Sequence, residues 1–447
     1  MTYELFIGLR YLSAKRKQAF ISVTTLISIF GVMIGVMSMI VTLSLMNGFA
    51  WDLREKILGT YSHVVLLKSP LGMGDYMAMK EQVERGLRER VDAEIRRLTF
   101  PPLSSPSAWV KVYLRYRALR SQREVLENIL AVTPFTLYQA LLSSESGVTG
   151  VVLRGIDLDS VGRVTSLPSV IKEGGLDELR GLKGHPGILI GKELAKTLGI
   201  FYGDKITAMS PRGRFSPLGM IPKVRQFVVT GIFETGMYEY DATLAYITIP
   251  EAQKFFDLGS RVTGLEIRVK DIYKADAVAN ALQDALGYPY YARDWKEMNR
   301  NLFSALRLEK IVMSLILIIM ILVAAFSIIC TLIMMVMEKG KDIAILKSMG
   351  ATSRSIRTIF MFEGMVIGGI GTLLGLGIGF LVCWLLGRYH FISLPGDIYY
   401  ITTLPVRMRF LDFVIVCVST FLVTVLATLY PSWQASRLRP AEALRYE

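Results

Sequence analysis

The sequence predicts a polytopic α-helical membrane protein: four transmembrane helices, with a large α/β domain inserted between the first and the second. Three observations predict it. The 447-residue chain is 52% apolar and only 20% charged, where a soluble domain carries about 25% charge. Four stretches, 18–51, 311–337, 364–387 and 413–436, contain no charged residue. Each exceeds the roughly 20 apolar helical residues that cross a hydrocarbon core, whereas a buried soluble helix is shorter and keeps a polar face. Residues 52–310, between the first two stretches, mix strand and helix patterns. The same composition excludes a disordered chain, and three Cys exclude a disulfide scaffold.

The elements follow in chain order. Residues 1–17 form an N-terminal interfacial segment carrying Arg10, Lys15, Arg16 and Lys17. The first transmembrane helix spans 18–48. It is too long for the about 7–15 apolar residues of a cleaved signal peptide and is read as an uncleaved anchor. The domain at 49–310 shows strand signals at His63–Leu67, Gly147–Gly155, Gly187–Ile190, Gln226–Phe233, Leu244–Ile249 and Leu265–Val269. Helical patterns cover Met77–Leu98, Lys192–Leu198, Glu251–Phe256 and Lys274–Leu286. Their interspersion predicts an α/β domain of two subdomains.

Two stretches of this domain stand out. Residues 210–225 hold Pro211, Pro217 and Pro222 with Gly213 and Gly219, which forbid regular structure. Phe215, Leu218, Met220 and Ile221 place apolar side chains where a loop is normally polar, between Arg212, Arg214, Lys223 and Arg225. This suits a protruding loop that captures a partner; a hairpin folded onto its own domain is the other reading. Residues 80–123 carry nine Arg around Pro101, Pro102 and Pro106, as a solvated surface insertion or as a helix touching lipid headgroups.

From Tyr290 to Lys339 there is no Gly or Pro. An unbroken helix there reaches roughly 75 Å, enough for a stalk below the second span, 311–337. The first helix is expected to continue similarly through Trp51–Leu58. In the third span, 364–387, Gly371, Gly375 and Gly379 recur every four residues. They allow close helix approach, within one subunit or at a dimer contact. The fourth span is 413–436. Basic residues are denser in 1–17, 338–363 and the tail 437–447 than in the connection 388–412. The positive-inside rule places both termini in the cytoplasm and 49–310 outside.

Chemistry of its own is not visible. Three His lie far apart, with no metal-ligand spacing. Gly187–Glu193 approaches a phosphate loop but lacks its first Gly and its Ser/Thr. The spans contain no ionisable side chain of the kind a proton relay uses. If the chain does work, its energy must come from a partner. The segment 338–363 offers a docking element: Lys339–Gly350 reads as a short amphipathic helix ended by Gly350, with Ile343, Leu346 and Met349 on one side. A helix lying on the membrane surface fits the same pattern.

Glu338-Lys-Gly-Lys-Asp-Ile-Ala-Ile-Leu-Lys-Ser-Met-Gly-Ala-Thr352 resembles the coupling-helix segment of the FtsX-like, MacB-type ABC permeases, and Tyr430–Arg445 resembles their end motif. Phe6-Ile-Gly-Leu-Arg-Tyr-Leu12, Phe20-Ile-Ser22 and Leu45-Met-Asn-Gly-Phe49 are similar to the lipoprotein-releasing permeases of the LolC/LolE type. The likeness covers nearly the whole chain and is weakest over 71–125.

It implies a MacB-like, type VII ABC permease in a Gram-negative inner membrane, with the 49–310 domain periplasmic. The implied partners are a cytoplasmic ABC ATPase dimer, a second permease half (homologous or identical), a periplasmic LolA-like carrier, the lipoprotein substrate and membrane lipids, with no nucleic acid. The chain is then a transport subunit, not an enzyme; it binds no cofactor directly, and ATP and Mg belong to the ATPase. Ile343, Leu346, Lys347, Met349 and Gly350 fall in the implied ATPase coupling helix. Pro211, Phe215, Pro217, Met220, Ile221, Pro222 and Arg225 fall in the implied carrier-binding hook. Met33, Met37, Met46, Met313 and Met320, flexible and adaptable to acyl chains, are assigned to a lipoprotein cavity, with lipid-facing packing as the alternative. Two other functions share this pattern: a MacB-like mechanotransmission efflux permease, and an FtsX-like regulator of periplasmic cell-wall hydrolases. The first usually carries its ATPase on the same chain; the hook and the large external domain speak against the second.

Overall fold

The computed structural model describes residues 3–4, 6–7, 19–60, 62–70, 72–98, 106–182, 184–216, 219–389 and 404–438. They fall into two compact units: a helical one within 1–52, 304–393 and 403–447, and a sheet-based one within 53–303.

The sheet unit is built on ten strands: β1 Val64–Lys68, β2 Ile129–Ser143, β3 Val148–Ile156, β4 Ile171–Gly174, β5 Gly187–Gly191, β6 Lys205–Ser216, β7 Gly219–Phe233, β8 Leu244–Thr248, β9 Gly264–Val269 and β10 Tyr290–Asp294. The path runs β10-β1-β9-β2-β3-β8-β5-β7-β4, and β6 bridges β2 and β7. That bridge closes β2-β3-β8-β5-β7-β6 into a six-stranded ring. The two subdomains expected from the sequence therefore share one strand. The first half of β2 pairs with β9, and its second half pairs with β3 and, at Leu141–Ser143, with β6.

Each half has its own core. Ile190, Leu142, Leu153, Ile206, Phe227, Val229 and Phe255 fill the ring. Every residue of β5 is buried, as expected for a strand with neighbours and cover on both sides. The other half packs Leu66, Val83, Leu87, Leu126, Ile267, Leu282 and Trp295. Val83, Leu87, Val91, Leu119 and Leu126 all lie in or next to the basic stretch 80–123. The helices Leu87–Arg97 and Pro106–Leu126 thus form a layer of the domain, with most Arg on the outside, rather than an appended insertion.

Two expectations are corrected here. The stretch 290–294 is not the start of a helix but strand β10, paired with β1 from Val64↔Asp294 to Lys68↔Tyr290. A single turn, Trp295–Met298, follows, capped by the Asp294 carboxylate, which accepts from the Glu297 N–H at 2.8 Å. The long helix begins only at Arg300. The absence of Gly and Pro permits a helix but does not require one. Sheet pairing and burial of Trp295 won over local propensity.

The stretch 210–225 is also regular over its described residues, 210–216 and 219–225. β6 and β7 continue through it as a ladder, with a register shift between Ser210 and Arg214. Pro211 and Gly213 fall within that irregularity, and Pro222 sits opposite it, between the pairs Ser210↔Lys223 and Arg214↔Ile221. Pro cannot donate to a ladder but is accommodated at a bulge.

The helical unit contains long helices at Ala19–Thr60 (42 residues), Arg300–Glu338 (39), Ser353–Tyr389 (37) and Phe410–Arg437 (28). Among the described residues these are the four long and apolar enough to cross a membrane. The first runs without a break through Gly48, as the stalk expectation required. Gly48 is needed there because a Cβ would meet the Pro405 carbonyl oxygen. Around it, the Arg407 N–H donates to Ser44 O at 3.0 Å, Asn47 Nδ2 donates to Asp412 Oδ2 at 2.7 Å, and Arg407 stacks 4.5 Å from the Trp51 ring.

Glycine also sets the packing of the third long helix. A Cβ on Gly371, Gly375 or Gly379 would press on Val32, Val36 or Ile40 of the first helix at 2.7–3.1 Å. Gly364 and Gly368 meet Thr428 and Thr424 of the fourth. The stripe therefore serves contacts within one chain, the first of the two sequence readings.

Candidate functional site

The cytoplasm-assigned segment is built directly onto the second long helix. After Glu338 the chain turns at Lys339, and a short helix, Gly340–Ser348, begins at once. The N–H of Lys339 donates to Met335 O and that of Ile343 to Lys339 O, both at 2.9 Å. Gly350, at φ +98°, ends the helix, with the Ala351 N–H returning to Leu346 O at 3.0 Å. A left-handed residue at this place is the usual helix stop.

The short helix does not present the predicted side as a unit. Ile343 is fully buried, Leu346 is half-buried, and both pack among Met335, Val336, Ile356 and Phe360 of the second and third helices. Met349 is 79% exposed and Ile345 49%. Lys347 is turned inward: its Nζ donates to Ser436 O at 2.6 Å and to Leu438 O at 2.8 Å, at the end of the fourth long helix. Charge-assisted bonds of this kind contribute roughly 1.5–3 kcal/mol each. An outward docking face is thus left to Met349 and Ile345. Ile345 escaped the sequence reading because the periodicity singled out the apolar side that the protein's own core takes up.

The second candidate is the β6–β7 hairpin. β2 pairs with β6 only as far as Met209, so beyond Ser210 the two strands pair with each other alone. The hairpin is tied at its base to the helix Ile249–Phe256 and the residue after it. Lys223 Nζ donates to Asp257 Oδ1 at 2.7 Å and to Lys254 O at 2.6 Å, and Arg225 pairs with the Glu251 carboxylate. Arg225, assigned to the hook, thus ties the hairpin to its own domain. Pro211 and Pro222 are exposed. Pro217 and the side chains of Phe215, Met220 and Ile221 lie outside the described residues.

The five methionines are not gathered at one place. Met320 lines a small apolar cavity of about 20 Å³ with Val32, Val36, Met39 and Thr424. The backbone of Met33 and Met37 abuts Gly375 and Gly379 of the third helix. Met46 and Met313 are half-buried and do not border that cavity. A space of this size is far below an acyl chain.

In the sheet unit, Lys192 of the near-miss phosphate loop is held by Glu234, Nζ to Oε1 at 2.6 Å. The hydrogen bond raises the lysine above its ordinary range and lowers the carboxyl below its own. Asp241 accepts from Thr235 N and Oγ1 at 2.8 Å, but burial pushes its carboxyl up. No group of three or more His, Cys, Asp or Glu among the described residues is disposed to hold a metal ion.

Comparison with known proteins gives two matched families. Residues 25–285 match the MacB-like periplasmic core domain, and 314–440 match the FtsX-like permease C-terminal family. The lipoprotein-releasing system transmembrane protein LolC of Neisseria meningitidis is 34% identical over 99% of both chains. That of Xylella fastidiosa is 33% identical over 99% of this chain and 98% of its own. LolE of Haemophilus influenzae is 26% identical and LolC of the same organism 25%, each over 99% of both chains. With a core-domain match over more than half its length and full-length relatives above 30% identity, the chain belongs to the LolC/LolE family of lipoprotein-releasing system transmembrane proteins.

Proposed function

We propose that the chain is the permease subunit of an ATP-driven complex in a bacterial inner membrane. The complex releases outer-membrane-directed lipoproteins from that membrane and passes them to a periplasmic carrier. The observation that carries this reading is the likeness to LolC proteins along 99% of the chain; it favours neither the efflux nor the cell-wall-regulator alternative. Both termini and 338–363 are cytoplasmic in this reading, and the sheet unit is periplasmic. A cytoplasmic ATPase dimer supplies the energy, docking on Met349 and Ile345. A second permease half, homologous or identical, completes the membrane part.

Each methylene of an acyl anchor contributes about 0.8 kcal/mol to membrane attachment, so extraction of a multiply acylated protein needs an external energy source, which in this reading is the ATPase. The free ribbon beyond Ser210 offers edge strands and an apolar tip for the carrier.

Depletion of the chain in its host tests the function: lipoproteins should accumulate in the inner membrane, and their normal sorting would refute it. Crosslinkers at Phe215 and Met220 should trap the carrier, whereas one at Arg225 should not. Met349→Asp should abolish lipoprotein-stimulated ATP hydrolysis, with the purified chain keeping wild-type thermal stability. Retained stimulation would move the docking face elsewhere.

A further inference from the structure

The part of the sheet formed by β1, β9 and the first half of β2 has two unlike faces. One is covered: the helices Leu87–Arg97, Pro106–Leu126 and Ala275–Leu286 pack apolar side chains with Val64, Leu66, Val132 and Ile267. The alternate residues Val65, Leu67, Phe135 and Leu137 line the other, with Val152 of β3 beside them. That face is apolar, where the open face of an antiparallel sheet is usually polar. These side chains and Met298 border a cavity of about 430 Å³. Leu137 is 43% and Met298 40% exposed, so the cavity opens to the surface. It lies wholly within the sheet unit.

The lining narrows what the cavity can hold. Its volume falls among small-ligand pockets, roughly 300–1,000 Å³. Two buried charges border it, Arg154 and Glu266, but they are in contact with each other and present no net charge. The strands behind it are paired on both sides, β1 with β10 and β9, and β9 with β1 and β2. The Leu137 N–H, beyond the end of β9, is taken by the Thr263 hydroxyl at 3.0 Å. β1 and β9 therefore offer no edge to an extended peptide. What remains is apolar contact with no demand for hydrogen bonds, which suits a flexible hydrocarbon chain. Met298 can adapt its unbranched side chain to such an occupant. Exposed Glu239 and Arg293 supply one charge of each sign beside the cavity, so it favours neither an anionic nor a cationic head.

We propose that this cavity binds one acyl chain of the lipoprotein while that chain is outside the bilayer. Each methylene seated there offsets part of the cost of leaving lipid. The site is separate from the small cavity beside Met320 in the helical unit. The inference rests on the proposed function for the source of the chain, but not for the affinity of the cavity for hydrocarbon.

Photolabelling of the full-length chain in lipid nanodiscs tests the site without requiring transport. The probe is a water-soluble lipopeptide with short acyl chains, one of them carrying a diazirine. Mass spectrometry should find label within 65–67, 135–137 or at Met298, at least about fivefold weaker in Leu137→Arg, which brings an unpaired charge to the apolar lining. Label confined to the membrane helices overturns the inference, as does cavity label that Leu137→Arg leaves unchanged. If Leu137→Arg unfolds the sheet unit, competition on the unaltered chain decides. An excess of unlabelled lipopeptide should remove the cavity label, and label that persists overturns the inference. A short-chain phospholipid with the same diazirine forms the second arm. Cavity label equal to that from the lipopeptide marks a general lipid site and overturns the assignment to cargo. Failure of the reconstituted wild-type complex to release lipoprotein refutes the function instead, and leaves the labelling to decide whether the cavity takes an acyl chain.

Discussion

The two units bury polar groups by opposite means. In the sheet unit a full charge pair is buried: Arg154 and Glu266 are 4% and 2% exposed and in contact, and Ser62 Oγ donates to the same Glu266 oxygen at 2.9 Å. The helical unit replaces such pairs, over most of its length, by small residues. Glycines meet valine and threonine, and Thr372 and Thr428 satisfy their hydroxyls on their own helix backbones at 2.6 and 2.8 Å. The difference follows from the surroundings. A domain facing water has a hydrophobic driving force to spend space on large side chains and a few compensated charges. Helices in lipid lack that force and associate by close backbone approach. Glu363 is the exception, a buried carboxyl in the third long helix.

The largest expected effect breaks the charge pair. Arg154→Met leaves Glu266 buried without its partner and should cost about 3–5 kcal/mol, seen as early unfolding of the sheet unit in a calorimetric scan. Replacing both partners by apolar residues should recover much of that loss. Next in size is Gly375→Ala. Its Cβ would lie 2.7 Å from Val36 Cβ and from the Met33 carbonyl oxygen, and overpacking of this kind costs roughly 1–3 kcal/mol. A drop in thermal stability in detergent, absent in Gly377→Ala, where a Cβ meets nothing within 4 Å, would sharpen the contrast.

The smallest effect concerns a half-exposed pair in the sheet unit. Glu234 is lowered and Lys192 raised by their mutual hydrogen bond. The Glu234 part is present above its ordinary value of 4.5 and lost as pH falls through its lower folded value; the Lys192 part is present below 10.5 and lost as pH rises beyond that. Lys192→Met should therefore lower the melting temperature slightly and evenly between about pH 5 and 10, and the difference should close in acid.

Much of the plan was legible. The uncharged runs mark the four long helices, because only the length and apolarity of a stretch bear on its fitness for a bilayer. Strands such as Gly187–Gly191 and Leu244–Thr248 carry apolar, β-branched runs that no helix pattern competes for. β2 carries a less simple signal, because Pro134 falls within it. In the fold it pairs with Leu265 of β9 before the pairing with β3 begins at Phe135, so one neighbour alone is affected. Within 340–348 the amphipathic pattern marks Ile343 and Leu346, which pack in the chain's own core, since such a pattern does not tell its own core from a partner.

By itself the sequence marked the four long apolar helices, from charge and length, and the family, from its motifs. Tertiary structure alone decided which apolar face turns inward at 340–348, that Arg225 and Lys347 are anchors, and that the glycine stripe serves the first helix of the same chain. These are questions of what lies opposite a residue. Opposition is set by contacts between elements far apart in the chain, and no local pattern encodes it.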